Sequence, residues 1–281
     1  METVILGGGS DTNAVLAPER GGILTRWSVA GRSLLYLDEA SLVDPSRNIR
    51  GGNPVLFPSP GPLAEGRFTY GGREGRMPQH GLARRHAFTV IETGPHHAVM
   101  RLEADERTRA EFPWDFELTL RYAIEGATLT IEQTIVNRDE APLPFAFGFH
   151  PYFAVPSADK ARVAIPTSAT RAWDNVAKRT IALSGPIDLA AGEVDLHLHD
   201  HDQTEAALVL ADGARIVVRA SEAFGRWVIW TLPDKDFVCL EPWTAAADAL
   251  NTGEDLLVIE PGGSRALEVS FTFEKGEPPE M

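Results

Sequence analysis

Leu267-Glu268-Val269-Ser270-Phe271-Thr272-Phe273-Glu274 alternates an apolar side chain with a polar one at every step. Successive side chains of a strand point to opposite faces, so this stretch turns four apolar groups toward a core and four polar ones toward water. Leu129, Ile131, Gln133 and Ile135 keep the same period. Shorter runs at 24–29, 34–37, 87–91, 98–104, 116–122, 216–219 and 227–232 are separated by turn residues such as Gly71-Gly72, Glu125-Gly126 and Asp212-Gly213. Sustained 3.6-residue apolar spacing is missing, and only 244–250 offers a helical turn or two. The pattern predicts an all-β chain of antiparallel strands.

At 281 residues the chain is near the upper size for a single core, and one domain over 1–275 is expected, with 276–281 a frayed tail. The formal charge of −14 opposes binding to nucleic acid or to an anionic membrane surface, both of which need a positive face. A neutral, hydroxyl-rich ligand suits that balance. The single cysteine, Cys239, cannot form an internal disulfide. The start METVILGGGSDTN lacks the basic and apolar segments of a signal peptide, so a cytoplasmic protein is expected. Monomer and homodimer both remain open.

Two stretches break the strand rhythm. Residues 48–85 are dense in Gly, Pro and Arg and are expected to form a binding rim; 184–202 ends in alternating His and Asp. Phe147-Gly148-Phe149-His150-Pro151-Tyr152-Phe153 places one histidine among aromatics, where proline bends the chain as the imidazole is presented. Val238-Cys239-Leu240-Glu241-Pro242-Trp243 uses the same grammar with a carboxylate. An ionised carboxylate resists burial unless it is hydrogen-bonded or functional, and the adjacent Trp243 offers a flat face to sugar C–H groups. Read singly, His150 fits a core histidine satisfied by a carbonyl; the complementary pair favours chemistry.

Around Arg50-Gly51-Gly52-Asn53-Pro54 the glycines permit close backbone approach and Arg50 can bind vicinal hydroxyls or a carboxylate, although such a segment is also an ordinary turn. Gln79-His80-Gly81-Leu82-Ala83-Arg84-Arg85 gathers several donors, or else supplies surface ion pairs and backbone support. Asp195, His197, His199 and His201 alternate as a strand-borne metal site would, but Asp200 and Asp202 surround them and favour a solvated acidic loop. No Gly-x-Ser-x-Gly elbow is present, and Cys239 lies in an apolar run where a thiol is inert.

Arg50-Gly-Gly-Asn-Pro-Val-Leu-Phe-Pro, His80-Gly-Leu-Ala-Arg, Gly148-Phe-His-Pro-Tyr-Phe and Cys239-Leu-Glu-Pro-Trp, in that order, resemble the aldose 1-epimerase (galactose mutarotase-like) superfamily, bacterial branch. The resemblance implies a large antiparallel β-sandwich with a sugar bound in an open cleft on one sheet. It implies His150 as general acid, Glu241 as general base, and Arg50 and His80 as sugar contacts. Asp195 is the best match to the family's ligand-binding aspartate, and Arg84 and Trp243 are further candidates for the ligand. The implied reaction interconverts hexose anomers with no metal and no other cofactor. Removing the anomeric proton while protonating the ring oxygen calls for a carboxylate and an imidazolium, expected on opposite sides of the C1–O5 unit, with Glu241 ionised and His150 protonated. Two alternatives keep the cleft: a hexose-6-phosphate 1-epimerase using Arg50, Arg73, Arg76, Arg84 and Arg85, or a non-catalytic sugar sensor. A glycosidase needs a second carboxylate that the sequence does not offer.

Overall fold

The computed structural model describes residues 1–9, 11–44 and 47–276. Of the tail expected to fray, 276–281, all but Gly276 lies outside the described residues. Two large antiparallel sheets face each other, as the alternation requires. One has seven strands in the order Glu205–Val209, Arg215–Ala220, Ser264–Glu274, Thr128–Asn137, Phe116–Glu125, His97–Glu103 and Thr89–Thr93. The other runs Arg179–Ala182, Arg171–Asp174, Val194–Leu198, Arg226–Thr231, Phe237–Trp243, Gly148–Phe149 and Val55–Leu56, with Tyr152–Ala154 paired beside Phe237–Trp243.

The opening stretch forms the centre of the first sheet. Ser264–Glu274 pairs with Thr128–Asn137 on one side and Arg215–Ala220 on the other, aligning Phe271 with Leu129 and Val218. Leu267, Val269, Phe271 and Phe273 enter one apolar cluster with Leu118, Leu120 and Tyr122 from the same sheet. Trp227, Ile229, Val238 and Leu240 reach that cluster from the second sheet. Burying a side chain of this size is worth about 1.5–3 kcal/mol relative to exposure, so the pairing of faces fixes each strand's register.

Three local expectations differ from the structure. Short helices form at Glu39–Val43 and Glu106–Glu111, set by capping rather than apolar period: Asp38 accepts from the Ala40 and Ser41 amides, and Asp105 and Thr108 make a capping box. The turn expected in 244–250 lies later, at Ala249–Thr252. The run 34–37 makes isolated bridges, Leu35 to Phe153 and Leu37 to Gly51, because its backbone bonds to two separate segments in turn. Gly51 allows that approach: at φ +128° a Cβ there would sit 2.5 Å from the Tyr36 carbonyl oxygen.

Candidate active site

The outer face of the eight-stranded sheet is the floor of a cleft of about 510 Å³, within the usual range for small-ligand sites. Strand parity selects what stands on it. In Phe237–Trp243, Val238 and Leu240 enter the core, which turns Cys239, Glu241 and Trp243 outward. The neighbouring strands behave alike: Trp227 and Ile229 go inward with Val228 and Trp230 outward, and Leu196 and Leu198 go inward with Asp195 and His197 outward. Register then lines these groups up. Trp173, His197, Val228 and Glu241 are successive cross-strand neighbours, and so are Asp195, Trp230, Cys239 and Tyr152.

His150 arrives from the bend after Gly148–Phe149, its backbone N–H donating to Pro54 O at 3.2 Å. Its ring stacks on Tyr152, 4.6 Å between centroids and 8° between planes, with Trp230 edge-on at 5.6 Å. His150 Nδ1 lies 3.3 Å from Glu241 Oε1, while Trp243 Nε1–H donates to Glu241 Oε2 at 3.1 Å. The Nδ1 to Oε1 contact is out of hydrogen-bond alignment, so Nδ1 is buried without a partner. His150 is 7% exposed and Glu241 1%. The two stand side by side on the floor. O1 and O5 hang on the same carbon, so adjacent groups reach both.

Expected charges also change. Burial pushes the Glu241 carboxyl well up, opposed by the Trp243 N–H, and burial pulls His150 well down, helped by neighbouring His80 and Arg84. Burial of both groups therefore favours a neutral pair over the expected carboxylate and imidazolium.

The rim comes from the Gly-, Pro- and Arg-rich stretch, as expected: Arg50, Gln79, His80, Arg84 and Arg85 line the cleft. His80 has φ +73° and is followed by Gly81 at the same φ; this left-handed pair lets Leu82 and Ala83 donate to Phe57 O. His80 Nδ1 donates to Pro60 O at 2.5 Å, which leaves Nε2 as an acceptor in the neutral ring. Burial and then the Arg84 charge bring its pKa down to about 4.

Asp195 is on the floor as its family match implies, held by Asn175 Nδ2 at 2.7 Å and His197 Nε2 at 3.4 Å. Burial pushes its carboxyl up, but those two partners outweigh burial and leave it below the ordinary value. One expectation is narrowed and one needs correction. Trp243 lines the cleft but is only 3% exposed; it packs on Leu56 and Val228 and spends its N–H on Glu241. The histidine run is no solvated loop: His197 sits on the strand Val194–Leu198, His199 also lines the cleft, and buried His201 bonds Thr167 Oγ1 and Glu205 O. Asp200 and Asp202 mask that strand in the sequence, but Leu196 and Leu198 are its core anchors.

Trp173, Asn175, His197 and Trp230 also line the cleft, and the sequence reading did not place them in a sugar site. Trp230 and His197 could have been found from parity with Asp195 and Glu241 once pairing was known. Nothing in the sequence singles out Trp173 or Asn175.

The aldose 1-epimerase family profile matches residues 4–272. This chain belongs to the aldose 1-epimerase family. It is therefore an isomerase of carbohydrate metabolism by family, with the sandwich that the motifs implied. A protein of Cenchrus ciliaris carrying the provisional name glucose-6-phosphate 1-epimerase is 26% identical over 275 residues, covering 92% of this chain and 76% of its own. The crystal structure of Slr1438 from Synechocystis has a TM-score of 0.92 at 35% identity, covering 97% of this chain and 96% of that one. A galactose mutarotase-like protein from Lactobacillus casei shares the fold, with a TM-score of 0.81 at 20% identity over 97% of this chain and all of its own (100%). Among the described residues, no helix is long and apolar enough to cross a membrane.

Proposed function

We propose that this protein is an aldose 1-epimerase that interconverts the α and β anomers of a hexose, with Glu241 and His150 exchanging protons with the sugar. The observation that carries the reading is the 3.3 Å contact of Nδ1 and Oε1 on a cleft floor, with both groups buried. Glu241 takes the proton of the anomeric hydroxyl as C1=O1 forms, the C1–O5 bond breaks, and His150 gives its proton to O5. Glutamic acid and neutral imidazole remain, which is the charge state that burial favours. Rotation about C1–C2 exposes the other aldehyde face, and reversing the transfers closes the other anomer. His80 Nε2, Asp195 and Arg50 serve the sugar hydroxyls, and half-exposed Trp173 and Trp230 provide flat walls.

A phosphorylated hexose is the second reading, and one observation favours it. Arg50 and Arg84 line the cleft, and no carboxylate lies within ion-pair distance of either among the described residues. Burial, and then the Arg50 charge, lower the pKa of Arg84, a cost that a bound anion relieves. The other arginines named for a phosphate contribute less. Arg85 is paired with Glu111, Arg73 with Asp139, and neither Arg73 nor Arg76 lines the cleft.

The test is the relaxation of optical rotation of freshly dissolved α-glucose, α-galactose and α-glucose-6-phosphate. Wild type accelerates at least one of them, and Glu241→Gln and His150→Asn lose that acceleration by about 10²- to 10⁴-fold. Arg50→Ala and Arg84→Ala weaken only the phosphorylated substrate if the second reading holds. A wild type that matches buffer for every sugar while still binding one is a sensor, and the proposal fails.

A further inference from the structure

Cys239 has no part in the proton transfers, yet it stands on the same strand face as Glu241, one position deeper. It is fully buried beside Tyr152 and Phe237, with Trp230 packed against them. Its Sγ, a nitrogen of His150 and a carboxylate oxygen of Glu241 all lie within 4.8 Å of one another. This is the only grouping of three such donors among the described residues. The second observation is His150 Nδ1, a buried nitrogen with no hydrogen-bond partner, turned toward Glu241.

We infer that His150, Cys239 and Glu241 form a site for a soft or borderline divalent cation, such as zinc or cadmium, and that its occupation switches the enzyme off. Two ligands at about 2.0–2.1 Å from a tetrahedral zinc stand about 3.3–3.4 Å apart, and the observed Nδ1 to Oε1 separation is 3.3 Å. That edge is already set. The separations to Sγ, within 4.8 Å, close by rotation of the cysteine side chain, since a thiolate sits about 2.3 Å from zinc. Thiolate, imidazole and carboxylate together suit zinc-class ions over magnesium or calcium, which take oxygen. The fourth position faces the cleft, where His150 and Glu241 form part of the lining and Cys239 does not.

Coordination releases the thiol proton and the proton held by the His150–Glu241 pair to solvent, leaving a metal bound to thiolate, carboxylate and neutral imidazole. The Glu241 lone pair that would take the anomeric proton is then occupied, so turnover of the sugar stops. The inhibitory consequence rests on the function proposed above; the metal site does not.

Titration of the protein with cadmium chloride reads the site directly, through the sulfur-to-cadmium charge-transfer absorption. The chain has one cysteine, so any such band reports Cys239. The expected result is a band saturating at one ion per chain and bleached by zinc chloride. In Glu241→Gln and His150→Asn its affinity falls by at least about tenfold, the lower bound for losing even an outer partner of a metal ligand. In the mutarotation assay, zinc slows wild type and a chelator restores it. Cys239→Ala and Cys239→Ser keep the metal-free rate and lose the zinc sensitivity. No band in wild type overturns the site. A band of unchanged affinity in both Glu241→Gln and His150→Asn also overturns it, because the thiol then binds alone. A saturating band in a protein without mutarotase activity leaves the site standing and removes the function instead.

Discussion

Replacing Trp243 by phenylalanine tests whether the indole tunes the base. Its N–H is the one hydrogen bond to the Glu241 carboxylate among the described residues, at 3.1 Å, and Glu241 is 1% exposed. A hydrogen bond to a buried charged group is worth about 1.5–3 kcal/mol. Losing it raises the Glu241 pKa further, and at about 1.4 kcal/mol per tenfold that free energy is worth about 10- to 100-fold in the ionised fraction. The sign follows from the donor: it favours the ionised carboxylate, so its loss deepens the preference for the acid. The fraction of pair able to accept the anomeric proton then falls about 10- to 100-fold, and kcat/KM follows it. Phenylalanine keeps an aromatic ring against Leu56 and Val228, and the backbone pairing of residue 243 with Arg226 and Gly148 does not involve the side chain. Polarimetric rates across pH, with thermal melting as the control for folding, give the comparison. A folded Trp243→Phe enzyme with kcat/KM within about twofold of wild type refutes this account of Trp243.

Gly148→Ala acts on the same indole from the other side. Its Cβ would lie 2.8 Å from Trp243 Cδ1 and 2.9 Å from Pro60 Cβ, so activity falls with a loss of stability on the order of 1–3 kcal/mol, seen in urea unfolding. Because burial pulls His150 below its ordinary 6.5, the doubly protonated His150–Glu241 pair loses its first proton below that pH, so the acid limb of the kcat/KM profile lies below pH 6.5; a limb at 6.5 argues against the buried pair. His80 loses its Nε2 acceptor as pH falls through about 4, so KM for sugar rises there, and a KM that stays flat as pH falls through and below 4 removes His80 from the ligand. Asp139 accepts both Arg73 nitrogens and the Ala141 and Asp115 amides, which hold its carboxyl well below the usual range. That stabilisation is present above the unfolded value of 3.8 and is lost as pH falls below it, and Asp139→Ala lowers the unfolding free energy by about 2–3 kcal/mol.

The sequence by itself determined the fold class and singled out the residues proposed as acid and base. Period-two alternation at 267–274 and 129–135 admits one kind of element, and a strand with one wet face needs a second apolar layer. His150 and Glu241 were legible because each is a costly residue in an apolar run ended by proline, and only function or a partner explains that cost. Their contact was not legible, since 90 residues separate them and side-by-side placement depends on the register of Phe237–Trp243 with Gly148–Phe149. Pairing across the rest of that sheet raised His197 onto the floor and set Cys239 beside Tyr152 and Trp230. Charge state followed from depth: ionisation depends on the water left around a group, and the chain order of residues does not contain that quantity. The tertiary structure alone decided it.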